Sequence, residues 1–290
     1  MFKGVGTALI TPFNENGIDL ESYEKLIEFE IKNGAQALIV CGTTGEPATM
    51  TKAEKDSVIS TAIEIINKRV PSIVGTGANS TATAIANSIE AEKMGADGLL
   101  VVTPYYNKCT QKGLVAHYKA IAESVNAPIF LYNVPGRTGV NILPETVKEL
   151  SCVKNIVAIK EASGNMAQVM EVARIIEGTG MSLYSGDDAL TLPMLALGAK
   201  GVISVASNVI PSVMSDIVSL YFSGDVEKSR ALHFKYLPLM TALFVETNPI
   251  PVKYAASKLG LCKNILRMPL TTIEKEHAAK LDAVMKELGL

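Results

Sequence analysis

The feature that most constrains the fold of this chain is the regular alternation of short apolar segments with stretches of helical spacing. The apolar segments lack the polar alternation of a half-buried strand, so each is predicted to be a strand buried on both faces, as in a parallel sheet covered by helices. Thr51 and Glu54 form a capping-box pattern that predicts the start of one intervening helix. The spacing that predicts the buried face of the first helix is shown by Leu20, Tyr23, Ile27 and Ile31. The eight apolar segments span residues 5–10, 37–40, 72–74, 99–102, 128–131, 156–159, 182–184 and 202–205.

A weak internal repeat supports this alternation. Gly34, Gly95 and Gly198 each precede a strand segment by a few residues, which suits a glycine in the left-handed conformation that ends a helix. Eight strand–helix units close a barrel, whereas a doubly wound open sheet usually has fewer strands. We therefore predict an α/β fold of the (β/α)8 TIM barrel type.

The strand signals stop after residue 222. Residues 1–222 are predicted to form the catalytic barrel, and residues 223–290 a C-terminal helical extension rather than a second enzyme domain. Prolines are expected to break this extension within residues 248–251 and again at Met268–Pro269.

Composition and charge narrow the function classes. The chain has 290 residues, 48% of them hydrophobic, which is enough for a large buried core. Its formal net charge of -2, from 27 basic against 29 acidic residues, provides no broad basic field for nucleic acid or for an anionic membrane surface. No apolar stretch of the sequence is long enough to span a bilayer, so a small-molecule ligand is favoured over nucleic acid or a membrane.

The cysteine pattern and the first residues predict a cytoplasmic protein. Residues 1–6 have neither the apolar run nor the cleavage site of a signal peptide. The cysteines are far apart and form neither a Cys-x-x-Cys motif nor a disulfide framework, which suits a reducing compartment. They are Cys41, Cys109, Cys152 and Cys262.

We expect neither a cofactor nor a metal centre, because no motif for a nucleotide or a metal ion stands out. Residues 75–77 lack the third glycine of a dinucleotide fingerprint. Asp187 and Asp188 precede an apolar run in the manner of a helix cap, and Cys41 is expected to be a packed thiol. The histidines that lack metal-ligand spacing are His117, His233 and His277.

In a TIM barrel the catalytic residues follow the carboxyl ends of the strands, so the loops after the apolar segments are the candidates. Gly42–Glu46 combines glycines that expose backbone N–H groups with two threonine hydroxyls, a set that suits a carboxylate; a polar turn leading into the helix at Thr51 is the alternative. The loops at residues 103–107 and 132–138 carry tyrosines, whose alternative role is packing.

Lys160, directly after the segment 156–159, is the candidate nucleophile. Burial disfavours the charged ammonium and favours the neutral amine, which attacks carbonyl carbons. For this lysine alone, an ion pair with a carboxylate such as Glu161 is at least as good an interpretation. The other polar loops, which are expected on the same face of the barrel, favour the catalytic interpretation.

Three of these motifs together resemble a known enzyme family. They are Gly42-Thr43-Thr44-Gly45-Glu46, Tyr-Asn-Val-Pro-Gly-Arg-Thr at 132–138 and Ile-Lys-Glu-Ala-Ser-Gly at 159–164. Their order and spacing are similar to those of the pyruvate-dependent class I aldolases, the group of dihydrodipicolinate synthase and N-acetylneuraminate lyase. The resemblance runs from Gly4 to about Pro211, and residues 248–253 extend it into the C-terminal helices.

The resemblance implies a Schiff-base mechanism with pyruvate and no cofactor. Lys160 would form the imine, and Tyr132 would be the acid and base. Thr43 would link Tyr132 to Tyr106 of a neighbouring subunit. Residues implied for substrate binding, by side chain or backbone, are Thr44, Arg137, Gly186 and Ile203.

Arg137 distinguishes between members of the group. A guanidinium suits a second carboxylate, and neuraminate lyases usually have an apolar residue at this place. The resemblance therefore implies condensation of pyruvate with L-aspartate 4-semialdehyde to 4-hydroxy-tetrahydrodipicolinate, in diaminopimelate and lysine biosynthesis, by a homo-oligomer that is a tetramer built from dimers. The alternatives are a retro-aldolase for a related keto acid and a catalytically silent barrel that binds keto acids.

The sequence also predicts weak or absent feedback inhibition by lysine. Lysine-inhibited members of the family bind the amino acid near the loop that matches Tyr105, and here Asn79 and Tyr105 agree with them. The other matching positions carry two cations and no carboxylate, which would repel the ammonium groups of lysine. These positions are Pro47, Lys52, Lys55 and Thr83.

Overall fold

The computed structural model describes residues 2–290, and within them eight parallel strands close into a barrel. Each barrel strand pairs with the next one along the chain, and the last pairs with the first. A short antiparallel hairpin of β2 and β3 follows the first strand. The strands are β1 (Gly4–Ala8), β2 (Phe13–Asn14), β3 (Gly17–Ile18), β4 (Ala37–Val40), β5 (Ser72–Gly75), β6 (Gly98–Val102), β7 (Ile129–Asn133), β8 (Ile156–Glu161), β9 (Ser182–Ser185) and β10 (Gly201–Ser204).

Helices surround the barrel, so the predicted (β/α)8 class is confirmed. The main core lies between the strands and the helices, and a smaller cluster that includes Ile39, Tyr184 and Ile203 fills the barrel interior. The helices are α1 (Leu20–Lys32), α2 (Lys52–Ile66), α3 (Thr81–Lys93), α4 (Gln111–Ser124), α5 (Pro135–Thr138), α6 (Pro144–Leu150), α7 (Met166–Ile176), α8 (Thr191–Ala196), α9 (Pro211–Phe222), α10 (Val226–Ala242), α11 (Ile250–Lys258) and α12 (Lys275–Leu288).

All eight predicted strands occur, but β7 and β8 continue two residues beyond the apolar runs. Tyr132 and Asn133 therefore belong to a strand and not to the loop that the sequence predicted. The extension is stable because the backbone pairing continues, with Tyr132 opposite Lys160 and Asn133 opposite Glu161. The Asn133 side chain also donates to the Glu161 carboxylate, at 2.9 Å.

The helix ends predicted from glycine and from the capping box are confirmed. Gly34, Gly95 and Gly198 have positive φ angles of 91°, 96° and 91°. Thr51 caps α2, and its hydroxyl accepts from the backbone N–H of Glu54 while the Glu54 carboxylate accepts from the backbone N–H of Thr51. Local sequence signals were sufficient at these positions because the contacts are between near neighbours in the chain.

The predicted face of α1 is partly wrong. Tyr23 and Ile27 are buried, but Leu20 is 37% exposed at the first position of the helix. The buried face includes Glu30 instead, because its carboxylate accepts hydrogen bonds from the hydroxyls of Thr7 and Ser207. An acidic residue was not expected in the core, and hydroxyls that are distant in the chain explain its position there.

The C-terminal helices pack against the barrel. In α10, the Ser229 hydroxyl donates to the Ile217 carbonyl of α9, and His233 contacts the Ala189 carbonyl. The expected interruptions are present, since residues 243–249 separate α10 from α11 and Met268–Pro269 lies between α11 and α12. The division after residue 222 would fall between α9 and α10 and remains a prediction. Within residues 2–290, none of the helices has both the length and the apolar character that a membrane span requires.

Candidate active site

Lys160 and Tyr132 lie side by side at the carboxyl ends of β8 and β7. They are opposite each other in the register of the two strands, so both side chains leave the sheet on the same side. Lys160 is only 4% exposed, and its Nζ lies 4.4 Å from the centroid of the Tyr132 ring. A buried amine beside the ring of a tyrosine is an arrangement suited to imine formation with acid–base assistance.

Gly186 leaves room for the lysine side chain. A Cβ atom at this position would lie 2.6 Å from the Cβ of Ala162 and 3.0 Å from the Cε of Lys160. Any side chain there would therefore displace the aliphatic part of Lys160. Ile203 is fully buried in the same interior cluster as Tyr132. The structure thus brings Gly186 next to Lys160 and Ile203 into the interior of the barrel.

Glu161 does not form the ion pair with Lys160 that was the alternative interpretation. Successive residues of a strand point to opposite faces, and Glu161 lies on the outer face of β8. Its carboxylate accepts from Asn133, from the backbone N–H of Ser163 at 2.7 Å and from Gln168 at 3.4 Å. These donors hold Glu161 away from the barrel interior.

The loop after β4 carries Thr43 and Thr44 in a short 3-10 helix, Thr43–Gly45. Thr44 is buried and Thr43 is half-buried. Cys41 and Glu46 flank the loop with φ angles of 54° and 56°, a conformation that residues other than glycine rarely adopt. Such unfavourable backbone conformations persist only where surrounding contacts hold them, and they concentrate at functional sites.

Glu46 is held by the C-terminal extension. Its carboxylate forms a fully buried ion pair with Lys253 of α11 and accepts from the backbone N–H of Arg267, at 3.1 Å. Burial lowers the pKa of the Lys253 ammonium, and the neighbouring Glu46 carboxylate opposes that shift. Phe13 packs beneath both cations, with its ring centroid 4.2 Å from Lys253 Nζ. The threonine loop is thus attached to a segment about 200 residues away in the chain.

Asn248 connects Thr44 to Arg137. Its Nδ2 donates to the Thr44 hydroxyl oxygen at 3.0 Å, and its main-chain carbonyl accepts from Arg137 Nη2 at 2.9 Å. Asn248 itself is buried, whereas Arg137 is exposed in α5 at the carboxyl end of β7. Asn248 therefore joins a buried threonine of the loop after β4 to an exposed arginine at the carboxyl end of β7.

The family of the chain follows from its similarity to known proteins. The family model for the dihydrodipicolinate synthetase family matches residues 1–288. The chain belongs to this family. The resemblance found in the sequence motifs is thereby confirmed over nearly the whole chain, including the C-terminal helices.

Named relatives of the family are similar over their full length. The 4-hydroxy-tetrahydrodipicolinate synthase of Geobacter sulfurreducens is 51% identical over 290 residues, which is 100% of both chains. The crystal structure of dihydrodipicolinate synthase from Thermotoga maritima has a TM-score of 0.98 at 48% identity, and the match covers 100% of this chain and 99% of that one. A monomeric dihydrodipicolinate synthase variant also has a TM-score of 0.98 at 48% identity, with 100% and 97% covered.

Tyr106 lies outside the cluster formed by the other family motifs. Its side chain is 88% exposed, and its backbone N–H donates to the Thr138 carbonyl at 3.4 Å, next to the Arg137 turn. Its φ angle of 74° is again in the left-handed region. The tyrosine thus projects from the surface near the opening of its own barrel.

Other sequence candidates have structural roles. Cys41 is buried, and burial raises the pKa of its thiol to about 12, as befits a packed thiol. Asp187 caps the short helix Asp188–Leu190, as predicted. The Asp188 carboxylate is buried and accepts from the backbone N–H groups of Val205 and Ala206. Within residues 2–290, no three His, Cys, Asp or Glu side chains are grouped to hold a metal ion.

The sequence motifs did not reveal what holds the site together. Asn248 and Lys253 were noticed only as part of a proline-broken segment that resembled the family, and Glu46 only as the last residue of a loop motif. Two sequence signals could have drawn attention to these residues. One is a lysine and an asparagine beside prolines in an otherwise apolar stretch, and the other is a glutamate in a loop that contains glycines. Neither signal predicts which residue is the contact partner, because the partners are distant in the chain.

Proposed function

We propose that this protein condenses pyruvate with L-aspartate 4-semialdehyde to give 4-hydroxy-tetrahydrodipicolinate, the reaction of the diaminopimelate and lysine biosynthetic pathway. The observation that carries the proposal is the buried Lys160 amine beside Tyr132 at the carboxyl end of the barrel. Full-length relatives named 4-hydroxy-tetrahydrodipicolinate synthase support it. This places the protein among the lyases of the class I aldolase type.

In the first half of the reaction, Lys160 Nζ attacks the ketone carbon of pyruvate, and loss of water gives an imine. The imine withdraws electrons from the adjacent methyl group, which then loses a proton to form an enamine. Tyr132 is proposed to supply and accept these protons, since its ring lies directly against Lys160. Thr44 is proposed to bind the pyruvate carboxylate through its hydroxyl and backbone N–H.

In the second half, the enamine carbon attacks the aldehyde carbon of the semialdehyde, and the new oxyanion takes a proton to become the hydroxyl group. The amine of the same substrate then attacks the imine carbon, which closes the ring and releases Lys160. Arg137 is proposed to bind the carboxylate of the semialdehyde, because its guanidinium is exposed at the opening of the barrel. Backbone groups near Gly186 and Ile203 would complete the pocket.

We further propose a homo-oligomer, a tetramer built from dimers. Tyr106 is 88% exposed in the single chain, as expected if its hydroxyl enters the site of a two-fold-related neighbour. There Thr43 would pass a proton between Tyr132 and the neighbour's tyrosine, so that neither phenol must fully ionise. An isolated subunit would then be poorly active.

Regulation and location complete the proposal. We expect weak or absent inhibition by lysine, because Lys52 and Lys55 occupy positions where a lysine ligand needs acidic or neutral partners. Half-inhibition at submillimolar lysine in an activity assay would contradict this. We also propose that the enzyme works in the cytoplasm, which suits its four free cysteines.

Borohydride trapping with pyruvate tests the reaction class. Reduction of the imine should add a three-carbon adduct to Lys160, detectable by mass spectrometry, whereas a silent keto-acid-binding barrel would gain no mass. A coupled assay that compares aspartate semialdehyde with N-acetylmannosamine then tests the second substrate. Turnover of N-acetylmannosamine alone would favour the related lyase and overturn the proposed synthase.

A further inference from the structure

Asn248 lies between the two carboxylate-binding groups of the proposed site. It stands in the segment between α10 and α11, is 5% exposed and contacts Thr44 through its side chain and Arg137 through its main chain. The two contacts use different parts of the residue. A substitution therefore changes the contact to Thr44 and leaves the carbonyl that holds Arg137 in place.

The direction of the bond to Thr44 determines what the threonine hydroxyl offers to a ligand. A hydroxyl has one proton to donate, and its oxygen accepts from other donors. Because the Asn248 Nδ2 group only donates, the Thr44 oxygen is the acceptor in this pair, and the hydroxyl proton remains for another acceptor. A substrate carboxylate, which only accepts, is the matching group.

The Asn248 side chain pairs only one end of its amide. Among the residues that the structure describes, Asn248 Oδ1 has no hydrogen-bond partner although it is buried. Leaving a buried acceptor unpaired is unfavourable, and Asn264 carries the same cost; Asn248 differs in that the donor side of its amide contacts Thr44. The Nδ2 group of this amide donates to Thr44, which belongs to the proposed pyruvate site.

We propose that Asn248 is a positioning residue that directs the Thr44 hydroxyl proton toward the pyruvate carboxylate. Its main-chain carbonyl holds Arg137 for the second substrate. The C-terminal extension thereby sets both carboxylate-binding groups, although it contributes no reacting atom. This inference rests on the proposed function, which supplies the identity of the two carboxylates.

The test compares Asn248→Ala with Asn248→Asp. The alanine removes the donor, and the aspartate replaces it with an acceptor that draws the Thr44 proton away from the ligand and adds a negative charge near it. A hydrogen bond to a charged group is worth about tenfold to a hundredfold in affinity, so the KM for pyruvate should rise by about that factor in the alanine variant and more in the aspartate variant. The KM for aspartate semialdehyde should change by less than about threefold, since the main-chain contact to Arg137 remains.

Asn264→Asp is the matched control. Asn264 also has a buried Oδ1 without a partner among residues 2–290, and it lies in the same extension. Its substitution should leave both KM values unchanged. Circular dichroism and thermal unfolding of all variants establish that they fold; should the aspartate variant unfold, the alanine variant gives the same comparison of KM values.

A double-mutant cycle with Thr44→Val tests whether Asn248 acts through the hydroxyl. In the valine background, Asn248→Ala should cause little further rise in the KM for pyruvate. Additive effects would overturn the inference, as would equal rises in both KM values.

Trapping separates this inference from the proposed function. A wild-type protein that gives no borohydride adduct with pyruvate would overturn the proposed function and this inference with it. If the wild type and both Asn248 variants form the adduct at the same pyruvate concentrations, this inference alone is overturned. An adduct in the variants that needs at least tenfold more pyruvate supports both.

Discussion

The two halves of the candidate site are built differently. Tyr132 and Lys160 are adjacent residues of paired strands, and their separation follows from the register of β7 and β8. Thr44 and Arg137 lie in the short helices that follow β4 and β7, and Asn248 of the C-terminal extension joins them. We call the first pair the strand half and the second the loop half.

This structural difference predicts different roles for the two halves. The strand half belongs to the backbone pairing of the barrel, so its geometry is as rigid as the sheet itself. The loop half depends on side-chain contacts with a distant segment, including the buried pair of Glu46 and Lys253. We therefore expect changes in the strand half to affect the chemical step, and changes in the loop half to affect substrate affinity and stability.

The largest effect is expected from Lys160→Ala. Without the amine no imine forms, so both borohydride trapping and turnover should be lost. Intact-mass measurement after reduction with pyruvate checks this, with Lys154→Ala as the control, because Lys154 is an exposed lysine just before β8. A trapped adduct in the Lys160 variant would mean that another lysine is the nucleophile.

Tyr132→Phe should act on rate and not on affinity. Removing a general acid–base group lowers kcat by about 10²–10⁴-fold, and KM for both substrates should change little. Tyr118→Phe is the control, since this buried tyrosine donates to the Val101 carbonyl and belongs to the core. Steady-state kinetics of the two variants tests this. A kcat near that of the wild type in the Tyr132 variant would show that Tyr132 is not the acid–base group.

Lys253→Met should destabilise the loop half. The substitution leaves the Glu46 carboxylate buried without its cation, which costs about 3–5 kcal/mol in the free energy of unfolding. The double variant Glu46→Gln with Lys253→Met should be less destabilised, because no uncompensated charge remains. Urea unfolding measures both, with Lys258→Met as the control at an exposed pair that contributes about 1 kcal/mol or less. Equal losses of unfolding free energy in the Lys253 and Lys258 variants would contradict the view that the ion pair with Glu46 stabilises the loop half.

Arg137→Ala should affect only the second substrate. Loss of a charged hydrogen bond to its carboxylate should raise the KM for aspartate semialdehyde by about tenfold to a hundredfold and leave the KM for pyruvate unchanged. The comparison with Asn248→Ala is direct, since the two variants should affect opposite substrates. An unchanged KM for the semialdehyde would remove Arg137 from the proposed site.

Glu30 is a buried carboxyl group that contacts two hydroxyls, and its effect is expected on stability and not on turnover. Burial raises its pKa from the ordinary 4.5 to about 8, opposed by the hydrogen bonds from Thr7 and Ser207. The folded protein keeps this proton up to about pH 8 whereas the unfolded chain releases it near pH 4.5, so the stability from this group is full below pH 4.5 and declines as the pH rises toward 8.

Glu30→Gln should flatten this dependence, because an amide does not titrate and its carbonyl oxygen still accepts from both hydroxyls. Urea unfolding at several pH values between 4.5 and about 8, the range spanned by the shift, measures how stability changes with pH. Glu24→Gln is the control at an exposed position of the same helix. Identical slopes for the wild type and the Glu30 variant would show that this carboxyl is ionised in the folded protein.

Sequence patterns predicted the fold further than they predicted the site. The barrel followed from eight apolar runs, and only their ends shifted, most clearly where Tyr132 and Lys160 extend the strands. The family motifs named Thr43, Thr44 and Arg137, but not the residues that hold them. Leu20 of the first helix was assigned to the core although it is partly exposed, and Glu30 was overlooked.

The sequence by itself determined the alternation of strands and helices, the caps at Gly34 and Thr51, and the lysine at the end of β8. These depend on neighbours within a few residues of one another, whose spacing the sequence displays directly. Tertiary structure alone decided that Glu30 is buried, that Lys253 reaches Glu46 and that Asn248 joins Thr44 to Arg137. Each of these features depends on a partner far away in the chain. Burying a polar group costs free energy unless such a partner forms a hydrogen bond or an ion pair with it.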